Sequence, residues 1–177
     1  GSVFDFLLNN LGSTRLDDDS FDKAFRRWEG RSAMPSDSFG PRRPDVAEVY
    51  FKKGDAHKRK GELDQAVSCY EKSLAIRLDH DGAEDLSAAK LYVALGTAYD
   101  DKGDQRKAVD CYEKSLAIKR KILGPEPEAA TVDYNNLGVA YRKMGELDKA
   151  VEHHEKALRI ARKGRGPADL SIGFSCL

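Results

Sequence analysis

The chain is poor in the features that mark several common classes of protein. Its 30 lysines and arginines are balanced by 30 aspartates and glutamates, whereas a dedicated nucleic-acid binder carries a basic excess. It has no long apolar run, so neither a membrane span nor a secretory signal is predicted. Only three cysteines occur, without paired spacing, which favours a reducing compartment. We therefore expect a cytoplasmic protein with no nucleic-acid or membrane partner.

Patterns that would carry chemistry are missing as well. The sequence has no paired nucleophile and base, no glycine-rich phosphate loop and no catalytic pair of carboxylates. It lacks Cys-x-x-Cys, and His153 and His154 are adjacent on a predicted helix, so their side chains point in different directions. Residues 79–82 lack the remaining ligands of a calcium loop. We expect a non-enzymatic protein that uses no metal and no cofactor.

What the chain does contain is one phrase repeated every 42 residues. Residues 61–76 begin Gly-Glu-Leu-Asp and end Leu-Ala-Ile, and related phrases occupy residues 103–118 and 145–160. A fixed period of this size indicates an array of stacked supersecondary units. Such arrays present long surfaces to partners, so the repeat predicts a binding protein.

Each period has room for two helices. The first helices are predicted at residues 45–60, 86–102 and 128–144, and the second helices at residues 63–79, 105–123 and 147–163. A glycine beyond the end of each first helix reverses the chain, since glycine adopts a left-handed conformation without strain. A second glycine column lets the two helices of a hairpin approach closely. The turn glycines are Gly61, Gly103 and Gly145, and the close-approach glycines are Gly54, Gly96 and Gly138.

These residues together resemble the tetratricopeptide repeat. The pattern consists of Leu95-Gly96, Tyr99, Gly103, Ala108 and Tyr112; all but the last tyrosine recur one period later, and a looser copy lies one period earlier. The resemblance covers residues 46–163. It implies an all-α fold, a right-handed α-solenoid of three helix hairpins at residues 46–85, 86–127 and 128–163. The period exceeds the usual length of about 34 residues, so longer second helices are expected.

The long repeats are similar to those of kinesin light chains and of the Pins/LGN polarity adaptors. The similarity lies in residues 116–128, which end Gly-Pro-Glu-Pro-Glu, and in residues 134–138, Tyr-Asn-Asn-Leu-Gly. Both families are non-enzymatic adaptors that bind peptide segments along an inner groove. The resemblance therefore implies a cytosolic scaffold that binds a protein or peptide partner.

In such arrays the first helices line the groove. Asn136 falls where these families carry a groove asparagine, whose amide can hydrogen-bond an extended peptide backbone; an ordinary solvated side chain is the alternative. Helical periodicity gives a mixed strip of apolar, basic and acidic side chains. The predicted groove residues are Phe51, Asp55, Lys58, Lys90, Val93, Thr97, Asp100, Asn135, Asn136, Val139 and Arg142.

One partner class of the family can be tested by position. Co-chaperones of this family hold the C-terminal carboxylate of heat-shock chaperones with lysine, asparagine and arginine side chains. The matching places here hold Phe51, Asp55, Ala94, Val132 and Asn136. This carboxylate clamp is absent, so a heat-shock chaperone C-terminus is not an expected partner.

Residues 1–45 are predicted to form additional N-terminal helices followed by a Gly, Ser and Pro linker. The segment is expected to cap the array, to fill its groove or to dock onto a partner. Residues 4–18 also resemble a GoLoco motif, which gives an alternative function as a regulator of G-protein α subunits. The apolar docking residues are Phe4, Leu7, Leu8, Phe21, Phe25 and Trp28.

Residues 164–177 form a predicted tail. No polar solvating helix follows residue 163, so the last helix exposes an apolar face unless the tail or a second chain covers it. This gives a further alternative, a self-associating structural module whose groove is occupied by its own N-terminal segment. Three repeats are the minimum for an array, so a fragment or a truncated family member is expected.

Overall fold

The computed structural model describes residues 43–81 and 85–165, and within these ranges the chain is helical with no strand. The predicted all-α fold of helix hairpins is confirmed. The helices are α1 (Arg43–Lys60), α2 (Leu63–Asp81), α3 (Leu86–Lys102), α4 (Gln105–Leu123), a 3-10 turn (Glu128–Ala130), α5 (Thr131–Lys143) and α6 (Leu147–Arg165).

The observed boundaries lie within three residues of the predicted ones. One difference is the start of the third hairpin, predicted as α-helix from Glu128 and observed as a 3-10 turn before α5. The Ala130 N–H donates to the Pro127 carbonyl at 2.9 Å, and this bond over three residues makes the first turn 3-10. The predicted N-terminal helices, residues 1–42, and the tail beyond residue 165 lie outside the described residues.

The chain divides into two compact units, residues 1–83 and 84–177. The described part of the first unit is the hairpin of α1 and α2. Its interface is closed by Tyr70, which is fully buried, and by the Ser73 hydroxyl, which donates to the Ala47 carbonyl at 2.5 Å. Small and aromatic side chains therefore set the spacing of this hairpin.

The second unit holds the second hairpin, α3 and α4, and the third, α5 and α6. A continuous core joins α4, α5 and α6, because apolar side chains from these helices contact one another away from water. Its burial is the main favourable term that holds the two hairpins together. The buried cluster consists of Ala108, Tyr112, Leu116, Ala130, Tyr134, Leu137, Ala140, Ala157 and Ile160.

The turn within the second hairpin forms as predicted. Gly103 has a φ of 85°, in the left-handed region, and its N–H donates to the carbonyls of Asp100 and Tyr99. The next residue, Asp104, caps α4 by accepting a hydrogen bond from the Lys107 N–H at 3.2 Å. This bond lowers the pKa of Asp104, because it favours the charged carboxylate.

The close-approach glycines also act as predicted. A Cβ atom on Gly96 would lie 2.5 Å from the ring of Tyr112 in α4. The matching distances are 2.5 Å from Gly54 to Tyr70 and 2.6 Å from Gly138 to His154. Real Cβ atoms do not approach other atoms so closely, so a larger residue at this position would require the facing ring to move.

Candidate peptide-binding face

The first helices of the second and third hairpins are joined by an ion pair. The Lys143 ammonium of α5 donates to Asp100 of α3 at 2.8 Å, and the Asp100 side chain is only 17% exposed. Gln105 donates to the same carboxylate at 3.1 Å. These contacts fix one face of α3 beside one face of α5.

Four of the predicted groove residues share these two faces. Residues three, four or seven apart lie on one side of a helix. Val93 and Thr97 therefore lie on the side of α3 that carries Asp100, and Asn136 and Val139 lie on the side of α5 that carries Lys143. All four are partly exposed. We name the surface of Val93, Thr97, Asn136 and Val139 the α3–α5 face.

The side chains of the α3–α5 face differ in what they offer a ligand. Val93 also packs against the core cluster, so part of its surface is already used. The Thr97 hydroxyl donates to the Ala94 carbonyl of its own helix at 2.9 Å. Asn136 supplies an amide two turns from Lys143, and Val139 supplies an apolar contact one turn from it.

The remaining groove candidates of this unit lie beside the face. The Asn135 side chain is exposed, and its oxygen is 3.4 Å from Nδ1 of His154, so it points toward α6 of its own hairpin. Lys90 and Arg142 are exposed. Because Lys143 pairs with Asp100, the negative charge that Asp100 brings to the predicted strip is partly neutralised.

In the first unit, two of the three candidates contact their own second helix. The Tyr70 hydroxyl donates to Asp55 at 2.7 Å, and the Phe51 and Tyr70 ring centroids are 5.8 Å apart. Burial and the Asp55 carboxylate raise the pKa of Tyr70 well above its ordinary value. Lys58 is half-buried. Asp55 and Phe51 thus help to hold the hairpin of α1 and α2.

The six apolar residues predicted as an N-terminal docking surface lie outside the described residues, as does the GoLoco-like segment 4–18. Among residues 43–81 and 85–165, no helix combines the length and apolarity needed to cross a bilayer. The same part of the chain holds no group of three or more histidine, cysteine, aspartate or glutamate side chains placed to bind a metal ion.

Three consecutive hairpins with a glycine turn, a close-approach glycine and a small-residue core define a helical repeat protein. Two family models, both described as tetratricopeptide repeat, match the sequence: one at residues 5–79 and 45–121, the other at residues 133–163. The chain belongs to the tetratricopeptide repeat family. No curated sequence relative matches it.

Solved structures share the fold at low identity. BtubC (BKLC) from P. vanneervenii is 21% identical with a TM-score of 0.69, and the match covers 90% of this chain and 64% of that one. MamA is 26% identical with a TM-score of 0.58, covering 92% and 80%. A putative kinesin light chain of P. anserina is 22% identical with a TM-score of 0.62, covering 91% and 74%.

The family match begins at residue 5 and so crosses the boundary predicted at residue 45. The repeat register is also present in this segment. Residues 9–12 read Asn-Asn-Leu-Gly, as do residues 135–138, which lie three periods of 42 later. Residues 21–24 read Phe-Asp-Lys-Ala and match Leu-Asp-Lys-Ala at residues 147–150 in the same register. These copies are shorter than the phrase at residues 61–76, so they stand out less in the sequence.

Proposed function

We propose that this chain is a non-enzymatic scaffold that binds an extended peptide segment of a partner protein on the α3–α5 face. The main support for this proposal is the Asp100–Lys143 ion pair, which holds α3 and α5 side by side. With the helices so placed, Val93, Asn136 and Val139 present partly exposed side chains to one ligand. Membership of the tetratricopeptide repeat family supports a binding role of this kind.

The side chains define the chemistry of the proposed ligand. The Asn136 amide carries both donors and an acceptor, so it suits the N–H and C=O groups of an extended peptide. Val93 and Val139 suit apolar side chains on either side of that contact. Asp100 and Lys143 largely cancel each other's charge, whereas Arg142 is exposed. We therefore expect a peptide with apolar residues and an acidic residue near Arg142.

The test begins with peptides selected by the full chain from a displayed random library. Calorimetry on the best peptide then compares the parent chain with Asn136→Ala. We expect affinity to fall about fivefold, since a net hydrogen bond contributes about 1 kcal/mol. The control is Asp110→Ala, an exposed residue of α4 that pairs with Lys114 on its own helix. Equal affinity for all three chains would remove the α3–α5 face as the binding site.

A second candidate function, the self-associating module, is favoured by the exposed apolar residues of α6. Leu147 and Val151 are 61% and 57% exposed. Sedimentation of the full chain over a wide concentration range tests it, and a strictly monomeric profile would end it.

The G-protein alternative ends if the full chain at high concentration leaves nucleotide release from a Gα subunit unchanged.

A further inference from the structure

The last described helix, α6, leaves bare an apolar face that is covered on α4. Leu158 of α6 is 51% exposed, whereas Leu116, one period earlier in α4, is 8% exposed. Leu116 belongs to the same buried cluster as Ala130 and Tyr134. The cover on α4 is thus the start of the next repeat's first helix. An equivalent segment is needed to cover α6.

An open concavity of about 540 Å³ lies on this part of α6. Leu158 lies among charged side chains there, so an apolar group seated in the concavity would be ringed by charges. Two of these charges are already held, because Glu126 pairs with Arg159 at 2.5 Å and with Lys163 at 2.6 Å. The lining residues are Glu155, Leu158, Arg159, Arg162 and Lys163.

The residues that follow α6 continue the repeat register. Gly166-Pro167 repeats Gly124-Pro125 after one period of 42 residues. Residues 169–171 read Asp-Leu-Ser, as do residues 85–87, two periods earlier. In the described copy, Asp85 caps α3 by accepting a hydrogen bond from the Ala88 N–H at 2.7 Å. The tail therefore carries the linker and the helix start that the register demands.

The α4–α5 interface contains an ion pair, and one period later both of its residues are replaced. Lys119 of α4 donates to Asp133 of α5 at 2.5 Å, and Asp133 is fully buried. One period later, these positions hold Ala161 and Ser175. A buried carboxylate without its cation would be costly, so a tail that faces Ala161 has to lack this aspartate. Ser175 meets that requirement.

We propose that residues 169–177 dock on α6 as the start of a further first helix. Asp169 caps it, and Ile172 takes the place of the fully buried Ala130 and packs on Leu158. Ile172 is larger than alanine, and the smaller Ala161 together with the concavity leaves space for it. The docking surface of α6 thus belongs to the chain's own tail.

Tethering favours this occupant over a second copy of the chain. Residue 169 follows the end of α6 by four residues, so the docking step closes only a short loop. A second copy would have to bind from solution and overcome the loss of translational and rotational freedom. The tail is therefore at a high effective concentration beside Leu158.

Hydrogen exchange of the full chain, read by mass spectrometry over residues 166–177, tests the proposal. We expect exchange about tenfold slower than that of an unstructured peptide, at low and high protein concentration alike, because burial of the Ile172 side chain would hold the tail on α6. Ile172→Glu should abolish this protection, and Leu158→Glu should do the same from the other side of the contact.

The matched control is Phe174→Glu, since its counterpart Val132 is 54% exposed. This variant should keep the slow exchange. Rapid exchange of the parent tail would overturn the proposal. Protection that appears only at high concentration would assign the face to a second copy instead. Equal loss in Ile172→Glu and Phe174→Glu would overturn the register.

Discussion

The second and third hairpins share a backbone arrangement but fill it with different rings. In the second, Gly96 faces the Tyr112 phenol, which is 2% exposed. In the third, Gly138 faces the imidazole of His154, which is exposed. The Cβ clearances are nearly equal, 2.5 and 2.6 Å. The glycine column therefore fixes the helix spacing, while the ring opposite it is free to vary in chemistry and burial.

The neighbouring position differs in the same way. The second hairpin has the buried Cys111, and the third has His153. The His153 ring stacks on Tyr141, with centroids 5.3 Å apart and planes at 9°, and lies 5.9 Å from Tyr134. Its Nδ1 atom is buried without a hydrogen-bond partner. The third hairpin thus places a titratable ring where the second has an apolar thiol.

Substitution of Gly96 or Gly138 should have the largest effect and should destabilise the two hairpins to different extents. Gly96→Ala is expected to cost about 3 kcal/mol, since the buried Tyr112 ring has nowhere to move. Gly138→Ala should cost about 1 kcal/mol, because the exposed His154 ring can swing outward. Denaturant unfolding, combined with hydrogen exchange of each hairpin, measures both losses.

A double variant sharpens this prediction. In Gly96→Ala with Tyr112→His, the second hairpin receives the ring of the third, and a smaller ring lessens the clash. We expect this chain to be more stable than Gly96→Ala alone. Equal losses for the two glycine variants, with no recovery in the double variant, would show that ring burial does not decide the cost.

The register of residues 9–12 extends the comparison to the segment matched by the family model. Gly12 corresponds to Gly96, and Trp28, the one tryptophan of the chain, corresponds to Tyr112. The register predicts that Trp28 packs against Gly12. Gly12→Leu should then shift the tryptophan emission to longer wavelength and increase quenching by acrylamide. Gly40→Leu, at the position that matches Gly82, is the control; a parent emission already typical of free indole would contradict the prediction.

The stabilities of the two hairpins should also respond differently to acid. Burial, aided by Lys156, His154 and Lys149 and opposed by Glu152, lowers the pKa of His153 below its ordinary value of 6.5. The unfolded chain therefore binds the proton more readily, and the stability of the third hairpin should fall as the pH drops below 6.5. The second hairpin has no such group at this position.

Local hydrogen exchange between pH 7 and pH 5, corrected for the intrinsic rate, measures this difference. His153→Cys copies the second hairpin and should remove the part of the pH dependence that His153 contributes. His57→Ala is a poor control, because His57 bonds Glu62 at 2.7 Å in the first hairpin. A third hairpin that loses no more stability than the second over this range would contradict the assignment.

Most of the fold could be predicted from the repeat period, because the helix spacing, the turn glycines and the core positions recur in the sequence itself. The residues of the α3–α5 face could be predicted from the sequence, but their side-chain contacts could not. Nothing in the periodicity pairs Asp100 with Lys143, since these residues are 43 positions apart, one more than the period, and meet through flexible side chains. Nor does a groove position reveal that Asp55 is held by Tyr70. Side-chain partners across helices depend on rotamers, which the repeat pattern does not encode.

The smallest expected effect concerns the ion pair that joins the two hairpins. Lys143→Ala should cost about 0.2–1 kcal/mol, because the pair is partly exposed and its gain is screened by water and salt. The cost should shrink in 0.5 M salt, where charges are screened within a few ångströms. Lys114→Ala removes an exposed pair within one helix and should cost less. If Lys143→Ala instead leaves stability unchanged but weakens the selected peptide, the pair serves to align α3 with α5 for binding rather than to stabilise the unit.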